Sequence, residues 1–174
     1  MSPYTPNQEE KERFMSRAIE LINEGPSKGH GGPYGAIIVK DGKIIGEGYN
    51  RETIDCDPTG HGEVTAIRQA CKSIQSCDLS GCEIYTSCEP CSMCTSAMWL
   101  CRLDRVYYGN RLNDTKHILD LAPLFQHVAT PIDQRSTTVE QIKGKEAYDV
   151  ITKWANDPNL NEYLIAKLKS ETKS

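Results

Sequence analysis

Apolar positions along this chain fall into helical and extended periods that take turns. Residues 8–24, "QEEKERFMSRAIELINE", put Phe14, Ala18, Leu21 and Ile22 on one face beside Met15 and Ile19, and Gly25-Pro26 close the run. That spacing predicts an amphipathic helix. A glycine-rich loop leads to "YGAIIVK" and "KIIGEGYN", which flank Asp41-Gly42. Two apolar runs around Asp-Gly predict a tight β-hairpin. A polar loop through Asp57-Pro58-Thr59-Gly60 precedes "HGEVTAIRQACKSI", a helix that buries Val64, Ile67, Ala70 and Cys71. "CEIYTS" predicts a strand, "CSMCTSAMWLC" an apolar helix and "RVYYG" a further strand.

The later pattern is weaker. Residues 116–127 read as helical and "STTVEQI" as a strand, while "GKEAYDVITKWAND" and "NLNEYLIAKLKS" read as amphipathic helices. The order helix, two strands, helix, strand, helix, strand predicts an α/β sandwich, with helices on the faces of a mixed sheet of about five strands. No repeat or linker interrupts it, so the expectation is one domain over 1–174, with about 130–174 as a C-terminal extension.

Composition changes this picture little. A chain of 174 residues with 38% hydrophobic and 25% charged residues can bury a single core. A net charge of -4 argues against a partner held by a broad basic surface, such as nucleic acid. Lys167, Lys169 and Lys173 suit a helix end or a solvated tail. The N-terminal "MSPYTPNQEEKERF" lacks an apolar signal core, and no apolar run is long enough to span a bilayer, so a cytoplasmic protein without membrane contact is expected. Eight cysteines in that setting read as thiols or metal ligands, not disulfides. Cys56, Cys71, Cys77, Cys82 and Cys101 are isolated and are expected to pack as small apolar groups.

Candidate chemistry sits at two helix starts. His61-Gly62-Glu63 opens one predicted helix and Pro90-Cys91-Ser92-Met93-Cys94 opens another. Cys91 and Cys94 are three apart and project to one side of the first turn, where free N–H groups favour thiolates. Pro90 fits there because it has no N–H to satisfy. Two thiolates and one imidazole balance Zn²⁺ and leave a coordination place for water, the arrangement of a catalytic zinc. Such a metal brings the pKa of its water towards neutrality. Glu63 can then carry protons beside it without being a ligand. Alone, a C-x-x-C is often a redox dithiol or half of a structural zinc site. An iron–sulfur run needs a fourth cysteine close behind, and the next, Cys101, is separated from Cys94 by six residues.

The segments "PTGHGEVTAIRQAC" and "YTSCEPCSMCTSAM" resemble the cytidine deaminase-like superfamily over about residues 10–110. With "GGPYGAIIVKDGKIIGEGYN" and the late "AYDVITKWAN", the chain is most similar to bacterial-type guanine deaminases. The resemblance implies a three-layer α/β/α sandwich, a homodimer that exchanges its C-terminal segments, and hydrolysis of a free nucleobase, guanine to xanthine and ammonia. It implies one Zn²⁺ per chain on His61, Cys91 and Cys94, with Glu63 as proton shuttle. It also implies Asn50 on the base edge, since an amide both donates and accepts, and Tyr34 as an aromatic neighbour of the pocket. The sequence departs from the pattern at Gly62, usually alanine, and lacks a Phe-Asp-Asp stretch. Asp120 is the best positional match for the second proton handler of that stretch, and Asp114 the next. Cytosine or another aminated heterocycle, and adenosine in tRNA, are the alternative substrates.

Metal analysis of the purified protein is expected to give about one zinc per chain. An iron–sulfur absorbance spectrum would overturn the zinc reading.

Overall fold

A computed structural model describes residues 4–157 and Asn159. The helix predicted over "NLNEYLIAKLKS" lies, past its first residue, outside the described residues. The chain divides into two compact units between Thr130 and Pro131.

In the first unit, α1 (Gln8–Glu20) starts at a reciprocal cap. Asn7 Oδ1 accepts from the Glu10 N–H and Glu10 Oε2 accepts from the Asn7 N–H, each at 2.9 Å. The hairpin strands β1 (Gly35–Lys40) and β2 (Lys43–Tyr49) follow. They turn at Asp41 and Gly42, whose φ angles of 48° and 74° match the left-handed geometry of a two-residue hairpin. One helical turn, α2 (Glu52–Asp55), precedes α3 (Gly62–Ile74). Then come β3 (Cys82–Cys88), α4 (Ser92–Leu100), β4 (Arg105–Asn110) and α5 (Ala122–Ala129).

The sheet order is β2-β1-β3-β4, with β1 antiparallel to both neighbours and β3 parallel to β4. β1 and β3 lie in the middle, and five of six residues of β1 and all of β3 are buried. Ala36, Ile38, Cys82 and Ile84 face one layer, formed with Val64, Ile67 and Ala70 of α3 and Cys94 and Met98 of α4. Ile37, Val39 and Tyr85 face the other, with Phe14, Ala18 and Leu21 from the α1 side. This is the expected three-layer sandwich. Gly46 of β2 lets α3 approach closely, because a Cβ there would collide with the Ala66 carbonyl and with Ala70. On the opposite side Arg17 grips both oxygens of Glu47 at 2.8 and 2.7 Å, tying α1 to β2.

Four expectations change. The sheet has four strands among the described residues, not about five. "STTVEQI" is irregular, with Val139 and Ile142 exposed at 51% and 73%. Its strand-like composition finds no partner strand, and an unpaired strand is not stable. The helix expected over 116–127 instead appears as a 3₁₀ turn, Leu112–Thr115, and then α5. Pro123 sits in the first turn of α5, where its missing N–H costs nothing, and so sets a later start. Cys82 and Cys101 are buried and Cys71 is half-buried, but Cys56 and Cys77 are exposed. Cys56 ends α2 with a left-handed φ of 49°, a turn position instead of a core one. The second unit holds a 3₁₀ turn at Ile132–Gln134 and α6 (Gly144–Ala155). No described helix is long and apolar enough to cross a membrane.

Phe14 is 3% exposed and its ring lies 5.2 Å from that of Tyr85. Phe14→Ala is expected to cost about 3–5 kcal/mol in urea unfolding, because the α1 layer cannot fully close the cavity.

Candidate metal centre

Sheet topology gathers the candidate residues at one end. β1 starts where β2 and β3 finish, with Gly35 paired to Tyr49 and Ala36 to Thr86. Tyr34, Asn50, Cys88 and Asn110 therefore lie at the same edge, and the Asn50 N–H donates to the Tyr34 carbonyl at 2.8 Å. α3 and α4 both begin there. His61 is the N-cap of α3 and Cys91 the N-cap of α4, each with extended backbone and neither using its side chain to cap the helix. Gly62 allows α3 to start hard against β1, since a Cβ would lie 2.9 Å from the Tyr34 carbonyl oxygen.

The result is a three-atom cluster. His61 Nδ1 lies 3.6 Å from Cys91 Sγ and 3.4 Å from Cys94 Sγ, and the possible ligand atoms of the three residues all fall within 4.8 Å. Cys91 and Cys94 are buried. The hydrogen bond from the Cys94 thiol pulls the Cys91 thiol down to about 4, with His61 adding to the effect, and the same bond raises Cys94. Hydrogen bonding to Cys91 also raises His61. One imidazole nitrogen and two sulfurs are the donor set of a tetrahedral zinc site with an open position.

Beside the cluster is a cavity of about 320 Å³. Tyr34, Asn50, His61, Glu63 and Cys91 line it, as do Glu52, Cys88 and Glu89, and Leu112, Leu119 and Leu121 close one side. Glu63 is 5% exposed, and burial raises its carboxyl above the usual range. Tyr34 is likewise raised by burial and then by Cys88, Glu63 and Glu52. Cys88 Sγ accepts from Asn110 Nδ2 at 3.2 Å, outside the His61 cluster.

The structure thus brings six of the seven predicted site residues together. Asp120 is the exception. It does not line this cavity; Oδ1 accepts from the Ala122 N–H at 3.0 Å and Oδ2 is 3.9 Å from Lys116. Asp114 is exposed and accepts from the Arg111 N–H. Sequence reasoning gave no site role to Glu52 or to the leucines of 112–121. Their only signal was position: a carboxylate just past Asn50, Leu112 just past the strand "RVYYG", and Leu119 and Leu121 in the 116–127 segment that reads as helix.

Comparison with known proteins agrees with this geometry. The model of the cytidine and deoxycytidylate deaminase zinc-binding region matches residues 8–110. Guanine deaminase of Bacillus subtilis is 41% identical over 153 residues, covering 87% of this chain and 98% of the relative. Its X-ray structure matches with a TM-score of 0.83 at 40% identity, covering 91% of this chain and 99% of that one. A tRNA-specific adenosine deaminase of Aquifex aeolicus is 40% identical over 107 residues, 62% of this chain and 69% of the relative.

Cys88→Ser is expected to keep its zinc in metal analysis. Cys91→Ser and Cys94→Ser are expected to lose the metal or release it to a mild chelator.

Proposed function

The chain belongs to the zinc-binding cytidine and deoxycytidylate deaminase family, and on that premise we propose that it hydrolyses free guanine to xanthine and ammonia. The observation that carries this reading is the reach of the similarity. The match to the Bacillus subtilis guanine deaminase, 153 residues, is longer than the whole first unit, so it runs into the second, whereas the tRNA deaminase match, 107 residues, is shorter than the first unit alone. The cavity supports the reading independently. Its volume is at the low end of the roughly 300–1,000 Å³ of small-molecule sites. Its walls carry the carboxylates of Glu52, Glu63 and Glu89 and no lysine or arginine. Such a surface favours an uncharged ring edged with N–H groups over a phosphorylated ligand.

His61, Cys91 and Cys94 would hold Zn²⁺, which would supply a water acidified towards neutrality. Asn50 meets the base edge with its remaining donor and acceptor capacity, and the Tyr34 ring packs against the heterocycle. Glu63 takes the proton from the water, passes it to a ring nitrogen and delivers a proton to the departing amine. Burial keeps this carboxyl ready to hold a proton. The leucines at 112, 119 and 121 exclude bulk water from one side. The water oxygen bonds to the amino-bearing ring carbon as its first proton goes to the ring nitrogen, and the added hydroxyl then gives up its second proton through Glu63 as the C–N bond to ammonia breaks, so guanine and water give xanthine and ammonia.

The reading extends to a cytoplasmic homodimer. Trp99, Leu100, Val106 and Tyr108 of α4 and β4 are exposed at 43–61%, and Tyr148, Val150, Ile151 and Trp154 of α6 at 46–69%. So much exposed apolar surface supports a second copy and exchange of the residues past 130.

Ammonia release from guanine, adenine, cytosine, their nucleosides and tRNA tests the substrate. Guanine is expected to be deaminated fastest, and Glu63→Ala to retain zinc while turnover falls by about 10²–10⁴-fold. Turnover confined to tRNA or to another base would overturn the proposal.

A further inference from the structure

We propose that Glu52 is a positioning residue that holds the metal-binding imidazole of His61 and the substrate-facing amide of Asn50 in a fixed mutual orientation. The proposal rests on the zinc reading above and assigns a role to a side chain outside the metal and proton-shuttle motifs.

Asn50 is 1% exposed, so its amide must be satisfied inside the protein. Glu52 meets both ends of it. Asn50 Oδ1 accepts from the Glu52 N–H at 3.1 Å, and Asn50 Nδ2 donates to Glu52 Oε2 at 2.5 Å. An N–H opposite the oxygen and a carboxylate opposite the nitrogen leave only one sensible amide orientation. One N–H and one lone pair of that amide then remain for a ligand. Gly31 seals the back, since a Cβ there would collide with Asn50 Oδ1.

The second oxygen of the same carboxylate faces His61. Nδ1 of His61 is turned to the two sulfurs, so a metal on that nitrogen leaves the ring proton on Nε2. Glu52 Oε1 lies 3.9 Å from Nε2. That is an ion-pair distance, longer than a hydrogen bond, at which the carboxylate attracts the free ring N–H electrostatically and so favours this tautomer and ring orientation. Glu52 can do this because α2 is itself held. The Thr53 and Ile54 N–H groups share the His30 carbonyl at 3.1 and 3.2 Å, the Arg51 N–H donates to Gly60 at 2.7 Å, and the Glu52 carbonyl accepts from Asp57 at 3.2 Å. The two-residue step from Asn50 to Glu52 thus links the base-reading amide to the metal ligand through one side chain.

The test compares Glu52→Ala and Glu52→Gln with wild type in the full chain, by chelator competition for zinc and by steady-state kinetics on guanine at saturating zinc. Glu52→Ala is expected to weaken zinc binding about 10- to 100-fold and to raise KM more than it lowers kcat. Glu52→Gln keeps the shape and one acceptor oxygen, and is expected to recover part of both losses. Wild-type zinc affinity in Glu52→Ala would overturn the link to His61, and an unchanged KM would overturn the link to Asn50. A wild-type protein inactive on guanine would overturn the substrate reading instead, and the zinc competition would still decide the role of Glu52.

Discussion

The burial of β1 and β3 on both faces is the constraint on which the rest of the first unit depends. Apolar side chains above and below these strands require a helical layer on each side, and α1 covers one face while α3 and α4 cover the other. Because β1 runs against both neighbours, its start lies beside the ends of β2 and β3. The helices that follow must then begin at this same edge. The metal cluster is a by-product of that packing: two helix starts forced together by one shared core.

Electrostatics at this edge would be unfavourable without a cation. Two sulfurs and the Glu63 carboxyl are buried within one small region, and buried anions are costly unless paired. The hydrogen bond between the two thiols eases the cost, favouring the thiolate at Cys91 and the thiol at Cys94. A dication on His61, Cys91 and Cys94 would ease it further. The positive ends of α3 and α4 point the same way, so helix dipoles and metal act together on the thiolates.

Most of the fold was legible in the chain, because period and turn chemistry are local. The hairpin followed from Asp41-Gly42 between two apolar runs, and α1, α3 and α4 from helical spacing and their start signals. The failures lie where the outcome depends on distant residues. "STTVEQI" has strand composition, but a strand exists only by pairing, and among the described residues it is paired with no strand. The segment 116–121 carries Leu119 and Leu121 to the cavity wall instead of forming a helix, because Pro123 delays α5. Asp120 is matched by position along the chain alone, and its carboxylate accepts the Ala122 N–H just ahead of α5.

Spacing marked the candidate metal ligands and the candidate proton carrier, since residues three apart in the first turn of a helix project to one side and a residue two past the helix cap stays within the same turn. His61 with Glu63, and Cys91 with Cys94, are such local pairs. That the pairs meet, with His61 Nδ1 at 3.4 Å from Cys94 Sγ, was decided by the tertiary structure. So was the use of the "SCEPCSMC" cysteines. Cys88 ends β3 and takes a hydrogen bond from Asn110, while Cys91 and Cys94 turn into the cluster. Glu52 shows the same limit. Its charge is plain in the sequence, but its grip on Asn50 and its place opposite His61 exist only after a turn of chain folds back over the end of the sheet.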